Sequence, residues 1–447
     1  MATPQDTDPV TGATNTEPGK SEGREESGTM KSRLWTRSFV LLWQGQLVSS
    51  IGDVVYGIAL GFWVLAVTGS TALMGTLMAA AMLPRVLLGP FAGAWVDRTD
   101  RRWLLVTMDS VRGAVVLGVG AAAVAGVLQI WMVFVAGIII GMGAAVFNPS
   151  ILSAVPDIVS PERLVQGNSF FQMIGAASGI LGNSVGGGLY ALIGAPVLFL
   201  VNGVSYLFSA ASAGFVRIPN RHRAQGRVDS HFLTDLRDGF TYVWSTRGLR
   251  TLLLFAGVTN FFVMIAVVLM MPLFQRTAGL GPAAYGIAMA TMTGGMLLGM
   301  LATAAAPIPA SRRVVVFSVA LGLFIASFAL FPQFHTLPPM LVALAIGGFA
   351  DAIVGVLMMS IIQLSTPAHL RGKVMGLLDT LTQGLTPVGM AVGGILGQYL
   401  PLPLVMSASF AVIAVVVVPG LLLRDVRDFF VREPPDPPGS AITSSGG

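Results

Sequence analysis

The chain has no cysteine in 447 residues, so it offers no disulfide, no thiolate metal site and no cysteine nucleophile. Its four histidines, His222, His231, His335 and His369, are scattered without the spacing that metal ligands need, and neither a metal nor another cofactor is expected. Charge is scarce: Asp, Glu, Lys and Arg make up 11% of residues, too few to clothe a soluble surface of this size. No G-x-x-x-x-G-K-[ST] phosphate loop occurs, which argues against a nucleotide-driven pump, and no nucleophile stands with a base, which argues against an enzyme. Residues 1 to 30 lack the apolar core of a signal peptide.

What fills the chain instead is apolar sequence, 54% of residues, with a mean hydropathy of +0.77. It falls into about twelve segments, each near the roughly 20 residues with which a helix crosses a bilayer. Positive charge occupies every second gap between them. One set of gaps holds Arg98, Arg101 and Arg102; Arg163; Arg217 to Arg250; Arg312 and Arg313; and Arg371 with Lys373, whereas the other set has only Arg276. Because basic loops resist translocation, the first set and both termini are expected to face the cytoplasm. The net charge of +5 and pI near 9.9 are read the same way, as lipid-facing topology signals and not as a nucleic-acid surface, since no aromatics interleave the basic residues.

The pattern predicts an all-α membrane protein of twelve transmembrane helices in two pseudo-symmetric six-helix bundles. We divide it into a disordered cytoplasmic tail over 1–30, a first bundle over 31–217, a cytoplasmic linker over 218–248, a second bundle over 249–423 and a tail over 424–447. In the linker, Phe232, Leu236, Phe240 and Val243 recur at helical spacing, the signature of an interfacial amphipathic helix. The halves echo one another. Gly75 and Arg101-Arg102 match Gly286 and Arg312-Arg313 at 286 − 75 = 312 − 101 = 211, and Pro161 and Gly187-Gly188 match Pro367 and Gly393-Gly394 at 367 − 161 = 393 − 187 = 206.

Between the second and third segments stands Gly93-Ala94-Trp95-Val96-Asp97-Arg98-Thr99-Asp100-Arg101-Arg102. It resembles the signature loop of the major facilitator superfamily, with Asp100 in place of the usual second Gly, as in the branch of macrolide and siderophore exporters. Ser49-Ser50-Ile51-Gly52-Asp53, Phe147-Asn148-Pro149 and Ser160-Pro161-Glu162-Arg163-Leu164 extend the likeness. The resemblance implies a charge latch on the cytoplasmic side: Asp97 near the start of the eleventh span at Gly372, and Arg101 or Arg102 bonding Asp157 at the end of the fourth. Gly93 would permit close helix packing. A Gly-rich antiporter pattern in the fifth span is degraded. Gly179, Gly187 and Gly188 remain, Asn183 and Ser184 replace its Gly-Pro, and we read these glycines with Gly393 and Gly394 as packing positions.

Ionisable groups inside a span are costly, so each is a functional candidate. Asp53 and Arg85 lie about 21 Å and about 16 Å from the cytoplasmic ends of their helices, at roughly 1.5 Å per residue, and a pair between them is expected. Gln46 shares the face of Asp53. Asp53 either binds the coupling proton or contacts a cationic substrate, or else pairs with Arg85 only to fix helix register; Asp351 is the alternative proton site, and Asp379 with Gln383 forms a further polar face. Asp109 and Arg112, one turn apart, are expected to pair within their helix. The reading is a proton-coupled exporter of a small amphiphilic or hydrophobic molecule, monomeric, in a bacterial cytoplasmic membrane, with no nucleic-acid partner. A nutrient importer of the same fold and a transport-inactive sensor or scaffold are the alternatives.

Overall fold

The computed structural model describes residues 34–216, 232–277, 279–306 and 308–420. The tails over 1–30 and 424–447, and the linker up to residue 231, lie outside the described residues. Within them every regular element is a helix: α1 Arg37–Thr68, α2 Thr71–Arg98, α3 Arg101–Val124, α4 Ile130–Ile158, α5 Leu164–Gly214, α6 Phe232–Ser245, α7 Arg247–Arg276, α8 Pro282–Ala305, α9 Ala310–Leu330, α10 Leu337–Leu364, α11 Ala368–Tyr399 and α12 Leu402–Gly420.

Local chemistry sets the helix ends. Thr36, Ser70 and Asp100 each stand one residue before a helix, where a side-chain oxygen accepts a backbone N–H that would otherwise be orphaned. Asp100 takes two, from Arg102 and Trp103, which gives the unusual acid in the signature loop a structural task. Gly69, at φ 64°, ends α1 in the left-handed conformation and allows α2 to start two residues later.

Ten described stretches are long and apolar enough to cross a membrane, and the one over Pro161–Gly214 spans 54 residues. That stretch is two crossings. At Gly194, φ 75° and ψ 171° interrupt α5, and a side chain there would strain the backbone. Its first arm, 164–193, runs with α1, where Gly182 meets Val54 and Gly186 meets Ile58; its second arm, 195–214, runs against α1, where Gly52 meets Asn202 and Gly45 meets Ser209. Counted with α11, which is too polar for the apolar criterion, the described residues are consistent with twelve crossings, and α6 lies between the halves. The α6 stripe is described in part: Val243 is buried and Phe240 is exposed beside a stacked Trp244.

Outward-facing Val165, Leu192 and Val415 are 80%, 81% and 73% exposed, an apolar surface suited to lipid and not to water. Among lipid tails helices gain little by hiding apolar area, so they associate by close backbone approach. Glycines mark those approaches and correct the internal repeat. Gly182, Gly186 and Gly187 of α5 do what Gly389, Gly393 and Gly394 do in α11: the first two of each set pack on α1 or α7, the third on α8 or α2. The register is therefore 394 − 187 = 207, one residue from the offset of 206 that the sequence suggests.

Candidate functional site

The halves meet tightly at the end opposite the basic loops. There Gly75 of α2 faces Gly394 of α11, and Gly187 of α5 faces Gly286 of α8; an added Cβ would come within 2.7 Å of Gly394 Cα in the first crossing and 1.9 Å of the Pro282 carbonyl oxygen in the second. Gln398 caps the first crossing by accepting the Thr71 N–H at 2.9 Å, and Arg276 donates to the Gly69 carbonyl at 3.3 Å. Two expected packing positions do not behave so. Gly188 has open space around its would-be Cβ, being about 100° around the helix from Gly187, and Gly179 meets only Thr293 at 3.9 Å.

Toward the basic end α2 and α11 line, with α4, a cavity of about 510 Å³. It reaches from Leu152 and Gly372 near the helix ends to Ala144 and Gln383, a depth of about 16 Å at roughly 1.5 Å per residue. Arg85, Asp379 and Gln383 are exposed to it, together with Asn148 and Lys373, on otherwise mainly apolar walls. A second, smaller cavity of about 250 Å³ lies deeper, between α1, α2, α5, α7, α8 and α11, and Asp53, Asn183 and Tyr285 are its polar lining residues.

The expected pair between Asp53 and Arg85 does not form. On α2, Met78 lines the deeper cavity and Arg85 the outer one, seven residues or about 10 Å farther along the helix. Equal depth along the chain was not proximity in space. Asp53 instead accepts a hydrogen bond from the Tyr206 hydroxyl, on the second arm of α5. Asn202 stands beside that carboxylate. The Arg112 guanidinium lies over the Tyr206 ring, 4.8 Å from its centre, and over the Phe147 ring at 4.3 Å. Arg112 also pairs with Asp109 one turn away, as the spacing predicts, and both side chains are buried, at 5% and 0% exposure. Gln46 reaches the same region, donating to Ser209 at 3.5 Å.

Tyr206 is the functional candidate that the sequence reading passed over. Its signal was slight: a single phenol in the run Val-Asn-Gly-Val-Ser-Tyr-Leu-Phe, where Asn202 is the more conspicuous polar residue. Asp351 sits partly buried on α10, and among the described residues it has neither an ion pair nor a hydrogen bond to its side chain.

At the basic end, Arg101 pairs with Asp157, whose side chain is 4% exposed, and Arg102 donates to the Gly214 carbonyl. These contacts tie the start of α3 to the ends of α4 and α5. The side chains of Gly93, Asp97 and Arg98 lie outside the described ones, although α2 runs through all three.

Comparison with known proteins gives this geometry a context. The sequence profile of the Major Facilitator Superfamily matches residues 42–385 and again 310–445. The multidrug efflux pump Tap of Mycobacterium bovis is 27% identical over 370 residues, covering 80% of this chain and 86% of that protein. Macrolide efflux protein A of Streptococcus pyogenes is 26% identical over 268 residues; the match covers 60% of this chain and 66%, just under two thirds, of that relative. Among solved structures, the nucleoside transporter NupG superposes with a TM-score of 0.69 at 14% identity, over 89% of this chain and all of that one. An inward-facing, unoccupied bacterial homologue of Spinster superposes with a TM-score of 0.67 at 14% identity, over 90% and 98%.

Proposed function

Since the chain belongs to the Major Facilitator Superfamily, we propose that it is a secondary active exporter which moves a small amphiphilic or hydrophobic molecule out of a bacterial cell by alternating access, in exchange for protons. The observation that carries this reading is the asymmetry between its two ends: sealed by glycine crossings at one, lined by a cavity of about 510 Å³ at the other. The basic end is taken as cytoplasmic from the charge of its loops, with both termini on that side and the protein in the cytoplasmic membrane. The state described is then the one that loads from inside. Apolar walls with Arg85, Asp379, Asn148 and Gln383 suit a ligand of mixed character, and the likeness to macrolide and multidrug efflux proteins supports export.

In the proposed cycle, substrate enters from the cytoplasm and the two bundles rock so that the glycine crossings part. Closing the basic end brings the signature loop into play: Arg101 with Asp157 stiffens the first bundle there, and Asp97 is the latch toward α11. Asp53, on the inner cavity, carries the coupling proton. Expression in an efflux-deficient bacterium, tested against erythromycin, tetracycline and ethidium with and without a protonophore, checks the proposal. Resistance that the protonophore abolishes is expected. Net accumulation of the same compounds in intact cells would replace export with import, and resistance indifferent to the protonophore would remove proton coupling.

A further inference from the structure

The geometry points to a single shared proton site made of two carboxylates, Asp53 and Asp109, around one common counter-ion, Arg112. The inference rests on the proton-coupled reading above and assigns to it a second carboxylate and a stoichiometry of one.

The argument starts from the way Arg112 is held. A closed, self-sufficient Arg–Asp pair is commonly a two-point fork. Here only Nη2 of Arg112 donates to Oδ1 of Asp109, while Nε of Arg112 and Oδ2 of Asp109 are buried without a hydrogen-bond partner. The rest of the guanidinium spreads over Phe147 and Tyr206, and Tyr206 is the residue that bonds Asp53. Arg112 thus stands between two acids, gripping one at a single point and facing the other across a phenol. Tyr56 Oη, beside Asp53, is likewise buried and unpartnered, and Asn202 Nδ2 approaches the Asp53 carboxylate without a hydrogen bond of normal geometry. Four of the seven such atoms among the described residues fall in this one cluster, and buried polar groups without partners are uncommon enough to ask for a task.

The elements packed here supply a complete account of its charge. From α1 come Asp53 and Tyr56, from α3 Asp109 and Arg112, from the second arm of α5 Tyr206, and from α4 the uncharged ring of Phe147. With both acids ionised the sum is −1. Net charge inside an apolar bundle is strongly disfavoured, and one proton added to a carboxylate oxygen brings the cluster to zero without breaking any other bond. A second proton would leave Arg112 as an uncompensated cation. The cluster therefore takes one proton, as a property of the group and not of either acid alone. Asp53 borders the inner cavity, through which the proton comes and goes. Asp109 has no exposed surface and acts through Arg112, as a positioning residue.

Proton uptake by the full chain reconstituted in lipid, without substrate, tests this. Infrared difference spectra of the protonated carboxyl stretch, calibrated by a pH indicator, give the number of protons taken across the physiological pH range. The wild type should show one shared carboxyl signal, and both Asp53→Asn and Asp109→Asn should lose it, because each leaves a neutral Asp–Arg pair. An Asp109→Asn protein that takes up the same proton at the same pH as wild type overturns the shared site. Should that variant fail to fold, Asp109→Asn combined with Arg112→Gln removes both charges at once. It should move the midpoint of uptake by at least about one pH unit, and an unmoved midpoint overturns the proposal. If the proton count follows this pattern while a pH gradient drives no ethidium out of the same vesicles, the shared site stands and the exporter reading fails.

Discussion

In the proposed cycle single side chains carry the coupling and the latch, and two substitutions probe them separately. Asp53→Asn keeps the shape and a hydrogen-bond acceptor for Tyr206 but removes the ionisable oxygen. Efflux driven by a pH gradient should fall to background while substrate binding at equilibrium survives; efflux at the wild-type rate would end the case for Asp53. Asp157→Asn leaves Arg101 short of its counter-charge at the end of the first bundle. With Arg101 only 14% exposed, a loss of about 1–3 kcal/mol is expected in whichever state needs that end rigid. Transport should drop on the order of tenfold, about 1.4 kcal/mol, with an unchanged amount of protein in the membrane by immunoblot. The identities of these residues were legible in the sequence because a charge in an apolar run is conspicuous. The partner of Asp157 was legible as well, in Arg101 of the signature loop; that of Asp53 was not, because Asp53 and Arg85 have similar depth along their helices, yet one reaches the inner cavity and the other the outer. Pairing depends on rotation about each helix and on a third helix, the second arm of α5, that returns along α1 and brings Tyr206 to Asp53.

At the scale of helices, spans and their order followed from apolar length and basic gaps, and the break at Gly194 falls between the segments that those criteria separate. The repeat was legible to within one residue. A pair of adjacent glycines such as Gly187-Gly188 can be aligned either way, and only the packing shows that Gly187 touches the partner helix while Gly188 faces open space. This distinction is testable. Gly187→Leu drives a side chain into the Pro282 carbonyl and should hold α5 and α8 apart, whereas Gly188→Ala should leave the crossing intact. A Thr71→Cys/Gln398→Cys pair reports on the neighbouring crossing, where the Thr71 N–H and the Gln398 side chain are bonded at 2.9 Å. That pair should cross-link readily in the wild-type background and in Gly188→Ala, and less in Gly75→Leu; equal cross-linking in all three would remove the glycines from the seal. With no native cysteine, the reporter thiols have no competitors.

For the whole molecule, the proposed cycle requires the two ends to alternate. Thiols at Leu152 and Gly376, which face each other across the outer cavity on α4 and α11, should be reactive to a water-soluble reagent from the cytoplasmic side at rest. Adding a transported compound with an inward proton gradient should protect them and expose Thr71→Cys and Gln398→Cys to reagent on the opposite side. Simultaneous reactivity at both ends, or none at either, would contradict a rocking pair of bundles. Substrate identity stayed beyond the sequence for a physical reason: the cavity walls come from α2, α4 and α11, which lie up to 383 − 82 = 301 positions apart, and each wall contributes only a few polar atoms.

Backbone laid against backbone at Gly75 with Gly394, and at Gly187 with Gly286, leaves no side chain for a mutation to shorten and almost no room for it to lengthen. On the proposed cycle, wedging either crossing while the basic end stands open should leave both ends open at once. A cell making such a protein should then lose membrane potential and grow poorly even on drug-free medium, an outcome that would give the tightness of these two contacts a second purpose, the energy of the host.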